Sequence, residues 1–108
     1  CKYIRGRLAP MADVTHVRSG TSFVWDDGKD AANQHRHGIP FRVAVEAFFD
    51  QFARVVDASR HQQNRDKLIG YLDDNRLVAV VHLELDGDAY RIISAWPATA
   101  EERAYYDS

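Results

Sequence analysis

From Thr21 onward, apolar and polar positions fall into blocks that read as separate elements. Thr21–Trp25 is a short β-prone run carrying Phe23, Val24 and Trp25, and Asp26-Asp27 behind it can cap a helix N-terminus. Asp27–His37 predicts a helix of tolerant residues (Ala31, Ala32, Gln34, His35), with Gly38 as its left-handed stop. Ile39-Pro40 restarts the chain, since Pro favours a first helical turn. Phe41, Val45, Phe48, Phe49 and Phe52 then recur at helical spacing, which predicts a second helix of about three turns with one apolar face. In the second half, Ala53–Asp57 predicts a strand and the stretch from Ala58 to Asn64, with His61 in it, a polar loop. Arg65–Leu72, Arg76–Leu85 and Ala89–Trp96 predict three further strands, joined by turns at Asp74-Asn75 and Asp86-Gly87. Pro97 ends the last strand, and Thr99 with Glu102 forms a capping box for a closing helix, Ala100–Asp107. The predicted order is β-α-α-β-β-β-β-α, an α+β domain whose helices cover one face of an antiparallel sheet.

The segment before Thr21 follows no sustained period. Gly6, Pro10, Ser19 and Gly20 interrupt it, and Met11-Ala12 would serve as a natural start. Residues 1–20 are expected to be a flexible N-terminal segment or non-native extension, with 21–108 as a single domain. Val14–Val17 could form a short edge strand, but a loosely held terminus is the expectation.

Composition narrows the picture. A chain of 108 residues with 45% hydrophobic content has room for one core and is too apolar for wholesale disorder. No run approaches the roughly 20 apolar residues of a membrane span, and the start lacks a signal peptide's apolar centre. Cys1 alone makes no internal disulfide; a reducing, cytoplasmic setting is expected. Fourteen Lys and Arg against 16 Asp and Glu leave a net charge of −2, so no general field attracts nucleic acid. Eleven of the 14 cations are Arg. The planar guanidinium fork suits phosphate, so a local phosphate site is compatible with the near-neutral total, although coding bias explains the Arg excess equally well.

If both hairpins use two-residue turns, Lys67 lies opposite His82, His82 opposite Arg91, and Arg65 opposite Glu84. Lys67, His82 and Arg91 would then form a row on one sheet face, able to hold a phosphate, stabilise charge developing on it and move a proton. A slip of one residue in either turn destroys the row, and a solvated sheet face with a plain Arg65–Glu84 ion pair is the simpler alternative. Other chemistry is sparse. His35 and His37 are two apart on a helix and cannot chelate one metal, and no second Cys or HExxH pattern exists. Gly28 and Gly38 stand alone rather than in a phosphate-binding loop, no Ser sits in a nucleophile elbow, and Cys1 at a frayed end is a poor nucleophile. No metal or organic cofactor is expected.

Three segments together resemble one family. Phe23 to Gly38 (FVWDDGKDAANQHRHG) is similar to the opening F-x-W-D-x-x-K-x-x-x-N-x-x-K/R-H-G of the BrnT family of bacterial toxins. Arg65 with Gly70, then Leu77–His82, resembles its R-F-x-x-I-G and the hydrophobic strand ending V-V-H. Arg91 to Ala95, followed by Ala98-Thr99, Glu102-Arg103 and Tyr105, resembles its closing R-I-I-S-A-R-x-A-T-x-x-E-R-x-x-Y. The likeness runs from Thr21 to about Asp107. It implies a RelE-like fold and a ribonuclease toxin of a type II toxin–antitoxin pair. It also implies neutralisation by a BrnA-like ribbon-helix-helix antitoxin in a heterotetramer, with DNA contacted only through that partner.

Metal-independent RNA cleavage uses the 2′-OH as nucleophile, so the protein must supply charge and proton transfer. Arg65 and Arg91 are the candidates for the electrostatic part and His82 for the proton. Lys29, Arg36, His37 and Lys67 are candidates for guiding the RNA backbone. Helix capping is the alternative for Lys29, Arg36 and His37, since cations favour a helix C-terminus, and for His37 the two readings weigh equally. Where the family usually has Arg after Ile-Ser-Ala, this chain has Trp96, which simple alternation places on the face opposite Arg91, as core. The acidic pair after the family's Phe is here Arg42-Val43. The alternative is therefore a module whose nuclease site has decayed and which only binds its antitoxin in operon control. A third reading is an unrelated α+β domain that binds an acidic small molecule in the basic row.

Overall fold

The computed structural model describes residues 12–59 and 63–108; His61, Cys1 and the expected extension over residues 1–10 lie outside the described residues. Strands β1 (Asp13–Arg18) and β2 (Thr21–Asp26) precede helices α1 (Asp27–His37) and α2 (Phe41–Ala44), the latter tightening into a 3-10 turn over Val45–Phe49. Strands β3 (Arg54–Asp57), β4 (Asp66–Tyr71), β5 (Leu77–Leu85) and β6 (Ala89–Pro97) follow, and α3 (Ala100–Asp107) closes the chain. The six strands form one sheet in the order β1-β2-β6-β5-β4-β3. Every neighbouring pair is antiparallel except β2 and β6, which run parallel over Ser22–Val24 and Ala89–Arg91.

The segment expected to be a loose terminus is instead an edge strand. Ser19 (φ 53°) and Gly20 (φ 81°) both take the left-handed conformation, which suits the twist of a two-residue hairpin turn and folds β1 back onto β2. The start of α1 is set by the Asp26 carboxylate, which accepts from Lys29 N at 2.9 Å. Its end is set by Gly38 (φ 75°), whose N–H donates to Gln34 O at 2.8 Å. The second helix is shorter than its aromatic spacing suggests. Phe52 falls outside it and is exposed. Asp50 ends it: one carboxylate oxygen accepts from Phe52 N at 2.9 Å, and the other from Tyr71 N at 2.9 Å and the Tyr106 hydroxyl at 2.7 Å. Burial alone would raise the Asp50 carboxyl, but these donors hold it below its ordinary value. Gly70 lets this turn lie against β4, because a Cβ there would meet the Ala47 carbonyl oxygen at 2.7 Å.

The helices do not share a face. The larger core, with Phe23, Trp25, Leu68, Val80 and Ile92 of the sheet, is covered by Ile39, Phe41 and Val45 from the α1–α2 side. On the other face, Ile69, Leu77 and Ala79 pack with Trp96 and with Tyr106 of α3. Both faces of the central strands β4 and β5 thus need apolar residues, which explains the unbroken apolar run in β5.

The hairpin turns have three residues, not two. Leu72 N donates to Arg76 O at 2.8 Å around Asp73-Asp74-Asn75, with Asn75 left-handed at φ 69°. Between β5 and β6, Leu85 pairs with Ala89 around Asp86-Gly87-Asp88. Each extra residue slips the register by one: Lys67 faces Val81, Asp66 faces His82, His82 faces Ile92 and Leu83 faces Arg91. The expected row of Lys67, His82 and Arg91 therefore does not form, because His82 points to the opposite side from the other two. His82 is 3% exposed, with its ring 4.9 Å from Phe48 and 5.5 Å from Tyr90 and its Nδ1 3.2 Å from Val80 O. A β-bulge follows. Val81 pairs with Ser94 while His82 pairs with Ile92, leaving Ile93 as the extra residue.

Beside this bulge β6 has parted from β2, and α1 takes over its edge. Asn33, buried in α1, accepts from Ala95 N at 3.1 Å and Ser94 Oγ at 3.2 Å, and its Nδ2 donates to Ile39 O at 3.0 Å. Leaving buried groups unpaired costs about 1–3 kcal/mol each. Asn33→Ala is therefore expected to lose about 2–4 kcal/mol in urea unfolding, and a loss under about 0.5 kcal/mol would show that the bridge contributes nothing. His82 makes a second prediction. Burial pushes its pKa below the ordinary 6.5, against the opposing Val80 hydrogen bond and the charges of Asp66 and Glu84. The unfolded chain then binds the proton more readily, so this contribution to stability is present above pH 6.5 and lost as pH falls through the folded pKa. His82→Phe should flatten that acid-side loss in unfolding curves taken from pH 7.5 down to 5; an unchanged slope would assign the loss to other groups.

Candidate functional site

The bulge at Ile93 shapes the surface on either side of it. A cleft of about 150 Å³ lies toward α1, lined by Lys29, Ala32, Asn33, Arg36, Ile93 and Ser94. A second, of about 330 Å³, lies toward β4, lined by Arg65, Lys67, Val81, Ile93, Ser94 and Trp96 together with Ala58. Because Ile93 and Ser94 line both, the two clefts adjoin across β6. The helical period places Lys29, Asn33 and Arg36 on one side of α1, where the Asn33 bridge holds them against β6. Arg65 stands just before β4 and Lys67 follows at strand period, so both project on the α3 side.

The four cations differ in how much charge they offer. Lys67 Nζ donates to Glu102 at 2.8 Å. The Glu102 carboxylate is buried and also accepts from Trp96 Nε1 at 3.1 Å and Thr99 N at 2.9 Å. Burial would raise its pKa, but the bonds from Lys67, Thr99 and Trp96 hold the carboxyl below its ordinary value. Arg65 is held differently. Its Nε and Nη2 donate to Gln63 Oε1 at 3.1 and 2.6 Å, so a neutral amide orients the guanidinium without cancelling its charge. Lys29 and Arg36 make no ion pair among the described residues.

The other residues singled out from the sequence are placed apart from this pair of clefts or at their margin. Arg91 shares a sheet face with Lys67 but is committed to Asp13, with guanidinium nitrogens at 2.8 and 3.3 Å from the carboxylate oxygens. That bond lowers the Asp13 pKa and raises that of Arg91. His82 is enclosed in the main core, so it does not reach the cleft where proton transfer was expected of it. His37, half-buried at the end of α1, has its ring 6.3 Å from that of Trp96. Trp96 was expected to face away from Arg91 as core. The extra residue at Ile93 reverses the alternation, so Trp96 lies on the same face as Arg91 and lines the cleft.

The sequence reading missed the structural weight of Asn33 and Glu102. Both stood inside recognisable patterns, but their partners are Ala95 and Lys67, 62 and 35 residues away, and spacing along the chain carries no sign of such contacts. Among the described residues, no group of three or more His, Cys, Asp or Glu is placed to hold a metal ion, and no helix is long and apolar enough to cross a membrane.

Comparison with known proteins places the chain in a family. Residues 25–102 match a family model described as the ribonuclease toxin, BrnT, of type II toxin–antitoxin systems. Among solved structures, the chain is similar to the Brucella abortus ribonuclease toxin BrnT, at 28% identity and a TM-score of 0.55, over 69% of this chain and 92% of that one. No curated protein matches. The matched span starts at Trp25 and ends at Glu102, and so contains all four cleft cations, the bulge and the Asn33 bridge. The chain belongs to the BrnT family of ribonuclease toxins of type II toxin–antitoxin systems.

Proposed function

We propose that this protein is a metal-independent endoribonuclease that cuts RNA in the adjoining clefts across β6 and so arrests growth of the cell that makes it. The observation that carries the reading is the placement of Lys29 and Arg36 in one cleft and Arg65 and Lys67 in the adjoining one, in a chain whose net charge is −2. A polyanion needs that local field for its backbone, and nothing in the overall charge supplies it.

The chemistry asks little more of the protein. The 2′-OH of one ribose attacks the adjacent phosphorus, the P–O5′ bond breaks, and the products are a 2′,3′-cyclic phosphate and a 5′-OH. Charge grows on the non-bridging phosphate oxygens as the new bond forms. Arg65 is the group best suited to meet it, because Gln63 fixes its fork and leaves its charge unpaired. Lys67 stands beside it with its charge shared with Glu102, and Lys29 and Arg36 extend the phosphate track toward α1. His37 takes the proton-moving part first expected of His82, since among the described residues its imidazole stands beside Trp96 of the cleft. Arg91 acts at a distance from the chemistry, holding β1 through Asp13.

The partner in this reading is a BrnA-like ribbon-helix-helix antitoxin that covers the toxin in a cytoplasmic heterotetramer and carries the DNA contact. Exposed apolar side chains such as Val17, Phe52 and Val55 are surface that such a partner would bury.

Purified protein with a single-stranded RNA, and the same gene under tight induction, test the reading. Wild type should cleave without added metal and arrest growth. Arg65→Ala should remain folded and lose about 10²–10³-fold in cleavage rate, as for loss of one preorganised donor to a developing oxyanion. Arg91→Ala should lose far less. Soluble wild-type protein that leaves RNA intact and growth normal would overturn the nuclease and point to a module that only binds its antitoxin.

A further inference from the structure

Among the described residues, Trp96 is the one aromatic side chain in the wall of the larger cleft, beside Arg65 and Lys67. Its environment is unusual for a core tryptophan. The indole N–H donates to the buried Glu102 carboxylate at 3.1 Å, which fixes the ring plane. Its inner side rests on the small cluster of Ile69, Leu77 and Ala79. Its remaining surface lines the cleft, and the ring of His37 stands 6.3 Å from it, tilted by 48° rather than stacked on it. Glu102 thus holds two side chains at once: Lys67 on β4, a cation for a phosphate, and Trp96 on β6, a flat apolar surface on the far side of β5.

Phosphates need no aromatic surface; bases do. From this placement, and resting on the ribonuclease reading above, we infer that Trp96 is a stacking platform for an unpaired nucleobase, adjacent to the phosphate held by Arg65 and Lys67. The site therefore takes a single-stranded nucleotide with its base turned out of any helix, because a base still paired and stacked in a duplex has no free face to offer. Stacking is tolerant of base identity, since every base has a π-face, so Trp96 selects for strandedness more than for sequence. Glu102 is the positioning residue behind it.

The test separates base from backbone. A single-stranded deoxyhexanucleotide lacks the 2′-OH and binds without being cut; an abasic hexamer of the same backbone presents the same phosphates with no bases. Wild type should prefer the base-bearing hexamer by about 5- to 150-fold, the range set by one aromatic stack. Binding should also quench tryptophan fluorescence, a signal that belongs to Trp96 because Trp25 is only 3% exposed and packed against Phe41. Trp96→Leu keeps apolar volume without a π-face, and should bind both hexamers alike at the abasic level; Trp96→Phe should restore most of the preference. Arg65→Ala should weaken both hexamers by the same factor. A preference that survives in Trp96→Leu would overturn the platform. Wild type that binds both hexamers tightly and equally would overturn it while leaving the ribonuclease reading in place, and wild type that binds neither would overturn both.

Discussion

The carboxamide of Asn33 joins α1, the turn into α2 and the open edge of β6. Strand β6 runs beside β2 for only three residue pairs and then parts from it, leaving an edge that a strand would ordinarily fill. Asn33 fills it with one side chain. Its oxygen takes the Ala95 N–H and the Ser94 hydroxyl, and its nitrogen serves the Ile39 carbonyl at the turn into α2. An amide is suited to this because it both accepts and donates and carries no charge to desolvate. The consequence reaches the groove directly. Lys29 and Arg36 sit four before and three after Asn33 on the same helix, so the bond that closes the sheet edge also aims those two cations across Ile93 and Ser94.

Most of the elements were legible in the sequence, because hydrophobic period, Asp caps, Gly38 and the Thr99–Glu102 box are local signals. The closing helix, Ala100–Asp107, lies where the sequence places it. What the sequence did not reveal turns on single residues. Asp73 and Asp88 join their hairpin turns, and each lengthens the connection by one. Since side chains alternate with period two, that was enough to send His82 into the core and leave Lys67 on the other face. The bulge at Ile93 then restores Trp96 to the face of Arg91. The structure places Lys29 and Arg36 in one cleft and Arg65 and Lys67 in the other, positions that do not depend on pairing His82. His82 and Arg91 lie elsewhere, in environments set by register and by a strand, β1, that the sequence signals only faintly.

The small net charge is also a matter of placement. Asp13 takes up Arg91, Glu102 shares Lys67, and Asp74 takes up Arg76. Acidic residues thus quiet cations elsewhere on the surface while Arg65 is steered by a neutral glutamine. A groove for a polyanion can be carried this way by a slightly acidic protein, and the field that remains is short-ranged.

The parallel pairing of β2 with β6 sets an order of events during synthesis. Every antiparallel neighbour can form from segments adjacent in the chain, but β2 has to wait for a strand that begins at Ala89. Each cleft is likewise walled by Ile93 and Ser94, so neither is complete until β6 has been made and has paired. A chain whose β6 has not yet paired therefore carries Lys29 and Arg36 on a helix with no groove behind it.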